Sequence, residues 1–479
     1  MLAAAHLAER GFKVELIEAS GHVGGKLGAW ETDVGGGIKM PVEHGFHAFF
    51  RHYYNLNNFL DRLNIREAFE PIEDYTILDE RGRAYGFAKL HRAPILNLIS
   101  LLGTDMMRVR DVLRPEMKRM QSMMEYDPDE TFERWDDISF QTFADDVKLP
   151  SELQLVFNSF SRAFFASPEH MSMAELIKSF HFYFLSHDHG LLYDIPNDDH
   201  ELTVLAPIRA HLESHGVVIR TSAPVQSVEV ADDEVMIDGR SFDYAILATD
   251  VMAARQLACG SASIREFDPA LVANLDRMRA SQRYAVVRIW LDRDISRELP
   301  GFVMTDRKRI LDSVALYHRI EKTSASFSRD SGGGVFELHC YAVPEDFGDD
   351  GDIKRALLED FFDHFPELRG AKIMHEHAYV KSDFTAFHTG LHRFRPTTNT
   401  AHPRLFLAGD WVKLPCPAML LEGAATAGMI AANRIFQAES LRPTQLYTVP
   451  LRGFLPPTRR GRPSPSLRRT PSHAESPEA

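Results

Sequence analysis

His44 and His47 stand on either side of Gly45 and Phe46 in the run Glu43-His44-Gly45-Phe46-His47-Ala48-Phe49-Phe50-Arg51. An imidazole changes charge near neutral pH, so the two histidines are candidate proton acceptors, and with Arg51 they form the candidate catalytic set. The plainer reading of the same run is a pair of structural histidines and a solvated arginine. Metal ligation has no support: no HExxH spacing is present, and Cys259, Cys340 and Cys416 lie too far apart for a paired-cysteine site.

A second constellation lies upstream. Lys13-Val14-Glu15-Leu16-Ile17-Glu18 alternates like a strand and ends in a carboxylate, and Gly21-His22-Val23-Gly24-Gly25-Lys26 follows. A carboxylate at a strand end can accept from both hydroxyls of a ribose. Paired glycines let backbone amides approach a pyrophosphate, and Lys26 adds positive charge. The third constellation is LFLAGDWVKLPCPAMLLEGAATAGMIAAN, residues 405–433. It puts Gly409 and Asp410 on a turn after a buried strand, with Asp410 placed to accept from polyol hydroxyls. Glu422, Gly423 and Ala424 open a helix of small residues whose N-terminus can face an electron-rich ring edge.

Elements must hold these groups. Residues 2–10 are helix formers stopped at Gly11, so the order is helix, strand, acidic residue and glycine turn. That is the second half of a dinucleotide-binding βαβ unit. Its first half, a strand and a GxGxxG turn, is not in the sequence, and the expectation is a late-called start or a truncated chain, with real loss of the loop as the competing reading. Downstream, the pattern predicts a helix over 56–63, strands at 75–78 and 84–87, helix-rich segments at 93–125 and 151–192, and strands at 217–219, 225–230, 235–237 and 244–249. An α+β unit is expected over 261–394, then a strand at 404–410 and a helix over 421–436. The aromatic residues between Phe157 and Phe184 could line a hydrocarbon tunnel or fill a core. Segment 93–110, apolar and then arginine-rich, suits an interfacial membrane helix or an internal amphipathic one.

The chain has 479 residues, 44% of them hydrophobic, and a formal net charge of −14, which sets aside nucleic-acid binding and global disorder. Scattered cysteines argue against a disulfide framework and for a cytoplasmic setting. No apolar run approaches the length of a membrane span, so any membrane contact is expected to be peripheral.

The segments ELIEASGHVGGKLG and GDWVKLPCPAMLLEGAATAGMIAAN together resemble the FAD-dependent amine oxidase and carotenoid desaturase superfamily. Within it, VEHGFHAFFRHYYNL most resembles the carotene desaturase/methyltransferases of the isorenieratene synthase type; ζ-carotene desaturases carry a similar Gly-x-His-aromatic turn. The resemblance implies an α/β architecture. A discontinuous Rossmann-like FAD-binding domain would span 1–56, 200–260 and 395–440 and an α+β substrate domain 57–199 and 261–394, while beyond the resemblance the composition of 441–479 predicts a disordered Pro/Arg-rich tail. It also implies FAD, with Glu18 on the adenosine ribose, Gly24, Gly25 and Lys26 at the pyrophosphate, and Val225 on the adenine through its backbone. Gly409 and Asp410 would follow the ribityl chain, Glu422, Gly423 and Ala424 would sit at the pyrimidine end, and the turn at Gly45 and Phe46 would lie against the isoalloxazine. The implied reaction is hydride removal from a hydrophobic polyene, in the nearest version aromatising a β-ionone ring with a methyl shift. Alternatives are a ζ-carotene or phytoene desaturase or isomerase, and a non-catalytic lipid or carotenoid carrier. Peripheral membrane contact and a quinone as candidate electron acceptor complete the expectation.

Overall fold

The computed structural model describes residues 1–457 apart from 35–36, 73–75, 80–83, 87–114, 191 and 296–297. The expected interfacial segment 93–110 and the chain beyond residue 457 therefore lie outside the described residues.

Helix α1 (Leu2–Ala8) leads into strand β1 (Glu15–Ile17), as the switch from helix formers to alternation requires. The glycine turn follows, with Gly24 at φ +110° and a Cβ there only 2.8 Å from the Leu205 side chain, so no larger residue fits. An antiparallel hairpin of β2 (Ala29–Asp33) and β3 (Lys39–Glu43) then carries the chain to helix α2 (Tyr54–Arg62). Strand β4 (Val218–Arg220) returns to pair in parallel with β1, while β5 (Ala245–Leu247) pairs in parallel with Leu405–Leu407. Among the described residues, the parallel sheet consists of these two separate ladders.

The larger sheet has seven strands. At its heart lie β6 (Tyr284–Leu291), β7 (Ser313–Leu316) and β8 (Gly334–Cys340), all fully buried. Side chains alternate across a strand. Val287, Ile289 and Leu291 of β6, Val314 and Leu316 of β7, and Phe336, Leu338 and Cys340 of β8 therefore share one face. There they meet Ile353, Leu357 and Phe361 of helix α3 (Asp350–His364). The opposite face presents Tyr284, Arg288, Ser313, Glu337 and His339. Arg288 pairs directly across from Glu337, and Ser313 across from His339. The final helix, α4 (Leu420–Ala438), packs its small residues against α1, with Gly428 facing Ala3.

Two expected boundaries shift. Ser261 and Asp268 cap helices Ala262–Phe267 and Pro269–Arg277, whose Ile264, Leu271, Val272 and Leu275 join one core with Val228, Val235 and Leu405. The core of the dinucleotide side thus runs past residue 260 to Met278. Residues 441–457, expected as part of a free tail, lie against the protein instead. Val449 is buried, the Tyr447 amide donates to Asn55, and the Pro450 carbonyl sits 2.7 Å from His181 Nε2. Backbone partners and one apolar anchor outweigh the proline content there.

His52 follows β3 in an aromatic nest, 4.4 Å from the Phe182 ring centroid, with both ring nitrogens buried and unpartnered. Burial, and then the neighbouring His187, pushes its pKa down to about 3. A lowered histidine stabilises the fold above the unfolded pKa near 6.5 and loses that contribution as pH falls, because only the unfolded chain takes up the proton. His52→Leu is therefore expected to remove about 1.4 kcal/mol of acid destabilisation between pH 7.5 and 5.5. Denaturant titrations at both pH values check this; parallel pH dependence in variant and wild type would refute it.

Candidate functional site

A cavity of about 1800 Å³ opens between the two parallel ladders and the polar face of the large sheet. Glu18, Gly24, Gly25, Lys26 and Val225 line it, as do His44, Gly45, Phe46 and His47, and Gly409, Asp410 and Ala424. Segments nearly 400 residues apart thus meet at one site.

Glu18 Oε1 accepts from the Ser20 amide at 2.8 Å and the Ser20 hydroxyl at 2.9 Å. Lys26 Nζ lies 2.5 Å from Asp383 Oδ2 and 5.1 Å over the Phe384 ring, so its charge is already met by a carboxylate. Asp410 Oδ1 accepts from Thr385 Oγ1 at 2.7 Å, and burial raises its pKa. Gly409 is at φ +137°, where a Cβ would strike the Trp411 ring.

His44 is buried, with Nε2 2.9 Å from the Tyr284 hydroxyl, which donates to Asp383 Oδ1 at 2.9 Å. That arrangement puts the His44 proton on Nε2 and leaves Nδ1 buried without a partner. Burial lowers the His44 pKa against the opposing hydrogen bond to Asp383. His47 donates from Nδ1 to the Gly45 carbonyl at 2.8 Å, and burial, followed by neighbouring His200, pushes it down to about 3. Both imidazoles are neutral at physiological pH. Phe46 stacks on Phe302 at 4.4 Å.

Three expected site residues are placed elsewhere. Arg51 does not line the cavity; its guanidinium pairs with Asp194 at 3.2 Å, a carboxylate that also takes Arg66 at 2.6 Å. Glu422 accepts from the amides of Asn55 at 2.9 Å and Leu56 at 3.0 Å, and from the Asn55 side chain at 2.8 Å. It serves the orphan donors at the start of α2, not a flavin ring, and burial pushes its pKa up to about 7. Gly423 packs behind the Asp410 turn, where a Cβ would lie 3.8 Å from Asp410 Cα.

The sequence reading missed the polar face of the large sheet. Arg288, 2% exposed, lies 2.7 Å from Glu337, 3.4 Å from Glu43 and 3.9 Å from Glu321. Tyr317 donates toward Glu43 at 3.0 Å and Glu337 at 3.2 Å. One guanidinium therefore serves three buried carboxyls. Burial works upward on Glu337, but the Arg288 charge and the His339 hydrogen bond outweigh it and hold the group at about 2. Burial pushes Glu43 up to about 7 despite Arg288. A charged residue inside each otherwise apolar run, YAVVRIWL and VFELHC, is the signal that could have found this face. Asp383 and Tyr284 carry no comparable pattern.

Of the aromatic stretch, Phe160, Phe164, Phe165, Tyr183 and Phe184 line the cavity, while Phe157, Phe180 and Phe182 pack within the core. The residues fit a flavin dinucleotide. Carboxylates from Glu18 and Asp410 share a cavity with the glycine turns, and an unpartnered imidazole nitrogen is buried beside them.

Residues 1–436 match the family described as flavin containing amine oxidoreductase. The carotenoid phi-ring synthase of Streptomyces griseus is 34% identical over 459 residues, covering 94% of this chain and 88% of that protein. A carotenoid phi-ring synthase of Chlorobaculum tepidum is 26% identical over 579 residues, covering 94% and 89%. Cyclohexylamine oxidase from Brevibacterium oxydans, a solved structure, superposes with a TM-score of 0.63 at 14% identity, covering 92% of this chain and 96% of that one.

Proposed function

The chain belongs to the flavin-containing amine oxidoreductase family, and from that premise we propose that it is an FAD-dependent carotenoid desaturase that aromatises a β-ionone end ring with a methyl shift. The observation that carries the reading is the similarity to carotenoid phi-ring synthases across nine-tenths of the chain, joined to a cavity walled by aromatic side chains.

Bound FAD supplies the hydride acceptor. Glu18 and Asp410 would hold its ribose and ribityl hydroxyls, with Gly24, Gly25, Val225 and Ala424 giving close backbone approach. Lys26 would reach the pyrophosphate only by loosening its pair with Asp383. The aromatic wall from Phe160 to Phe184 seats the polyene and excludes water. Phe165 and Phe384, stacked at 3.6 Å, and Tyr284 at 4.8 Å from Phe384 turn ring faces and edges to the same space. Such faces favour a transient carbocation. Neutral His44 and His47 place no repelling charge beside that cation and are candidate proton acceptors.

A polyene dissolved in lipid must enter from a membrane surface, so the reading includes a peripheral lipid contact, with 93–110 as the candidate segment and a quinone as the candidate electron acceptor. No helix among the described residues is long and apolar enough to cross a membrane.

Expressed in a host that accumulates β-carotene, the protein is expected to convert aliphatic end rings to aromatic ones, identified by mass spectrometry and proton NMR of the pigments. Products with added chain double bonds and intact aliphatic end groups would overturn the methyl-shift reading in favour of a plain desaturase.

A further inference from the structure

Each ring double bond formed removes one hydride and one proton. The hydride has an acceptor in the flavin; the proton is released inside a cavity whose aromatic wall excludes water. A base at that wall needs somewhere to pass the proton, and most polar groups lining the cavity are already committed. His44 can take a proton on its unpartnered Nδ1, but its Nε2 leads on only to Tyr284, whose hydroxyl donates to Asp383. Burial works upward on Asp383, but the His44 hydrogen bond and the Lys26 charge hold it far below the usual carboxylate range, so it stays ionised and is a poor proton sink.

One wall offers an oriented chain. Tyr341 and His339 both line the cavity, and a Cβ on Gly45 would lie 3.8 Å from His339 Nε2, which sets the chain beside the 44–47 turn. The Tyr341 hydroxyl is 2.8 Å from Ser313 Oγ, which is 3.1 Å from His339 Nδ1. His339 Nε2 is 2.8 Å from Glu337 Oε1, and the other oxygen of Glu337 takes Arg288 at 2.7 Å. An ionised Glu337 makes His339 Nε2 the donor and leaves the Nδ1 lone pair for Ser313. All three hydrogen bonds then point from the cavity toward the carboxylate.

We propose that the proton lost in aromatisation is taken up at the cavity wall by Tyr341 and passed through Ser313 to His339, with Glu337 and Arg288 as positioning residues. This inference rests on the ring-aromatising reading above. The C–H bond of the ring cation breaks and its electron pair becomes the new C=C bond. The proton joins the Tyr341 oxygen as that oxygen's own proton passes to Ser313 Oγ. The Ser313 proton moves to His339 Nδ1 and leaves an imidazolium against the Glu337 carboxylate. The same chain run backwards returns the proton to water once product has left.

The test uses the FAD-loaded enzyme with β-carotene in lipid vesicles, without oxygen. It records the initial rate of flavin bleaching, which reads hydride removal, and then, with a quinone added to reoxidise the flavin because each ring gives up two hydrides, aromatic product, which requires proton loss. Tyr341→Phe, Ser313→Ala and His339→Gln are expected to bleach within twofold of wild type while aromatic product falls roughly 10²-fold. FAD content and thermal midpoint should stay unchanged, which separates the chain from a merely structural wall. The relay is overturned if product is unaffected in Tyr341→Phe and Ser313→Ala, if bleaching and product fall together, or if Tyr284→Phe alone reproduces the split. A wild type that neither bleaches nor aromatises a β-ring carotenoid refutes the substrate reading and the relay with it. An active wild type with unaffected variants refutes the relay alone.

Discussion

Asp410→Ala is expected to yield a folded protein that no longer retains FAD. The side chain stands on the turn between the Leu405–Leu407 strand and α4, where its recorded hydrogen-bond partner within the protein is the Thr385 hydroxyl. Losing that bond costs the fold on the order of 1 kcal/mol. A ligand deprived of a charged acceptor for its polyol hydroxyls loses about 1.5–3 kcal/mol per bond, so retention should weaken roughly 10²-fold. Asp410→Asn keeps one acceptor oxygen and should fall between. Flavin absorbance of the purified proteins, beside thermal midpoints, decides the matter. Full flavin content in the Ala variant would remove Asp410 from the ribityl chain.

Arg288→Met is expected to be the most damaging single change in the sheet, by roughly 3–5 kcal/mol, because it strands three buried carboxyls around an apolar side chain. The loss should depend on pH. Without the guanidinium, Glu43, Glu321 and Glu337 have folded-state pKa values raised above their unfolded values. Stability is then fully present below the unfolded carboxylate range and falls as pH rises through the raised values. The variant should accordingly be far weaker at pH 8 than at pH 5.5, and adding Glu337→Gln should recover part of the deficit. Denaturant midpoints within about 1 kcal/mol of wild type at pH 8 would show that the cluster does not need its cation.

Much of the dinucleotide side was legible because its cues are local. The alternation of residues 13–18 ends where β1 and Glu18 lie, the glycine turn adopts the left-handed backbone only glycine takes easily, and Asp410 follows a buried apolar strand. Glu422 shows the limit. A carboxylate at a helix start reads the same whether it faces a ligand or another helix, and only the tertiary packing, which sets it over the Asn55 and Leu56 amides, decides between them. Arg51 is a similar case, since Asp194 lies 143 residues away. The core across residue 260 and the docking of 441–457 likewise depend on contacts between distant segments.

The union of Asn55 with Glu422 and Tyr447 also has a temporal side. The α2 amides wait for a carboxylate 367 residues downstream, and the Asn55 side chain bonds the Tyr447 backbone, 392 residues on. At ribosomal speeds of 5–20 residues per second, that carboxylate emerges roughly 20–70 s after α2. Through that interval the nascent chain holds an amphipathic helix whose Leu56, Phe59 and Leu60 face and amide donors are uncovered, and closing so long a loop is among the slower steps of assembly. Residues 422–447 thus act as a late latch on α2, which stays open until they have been made.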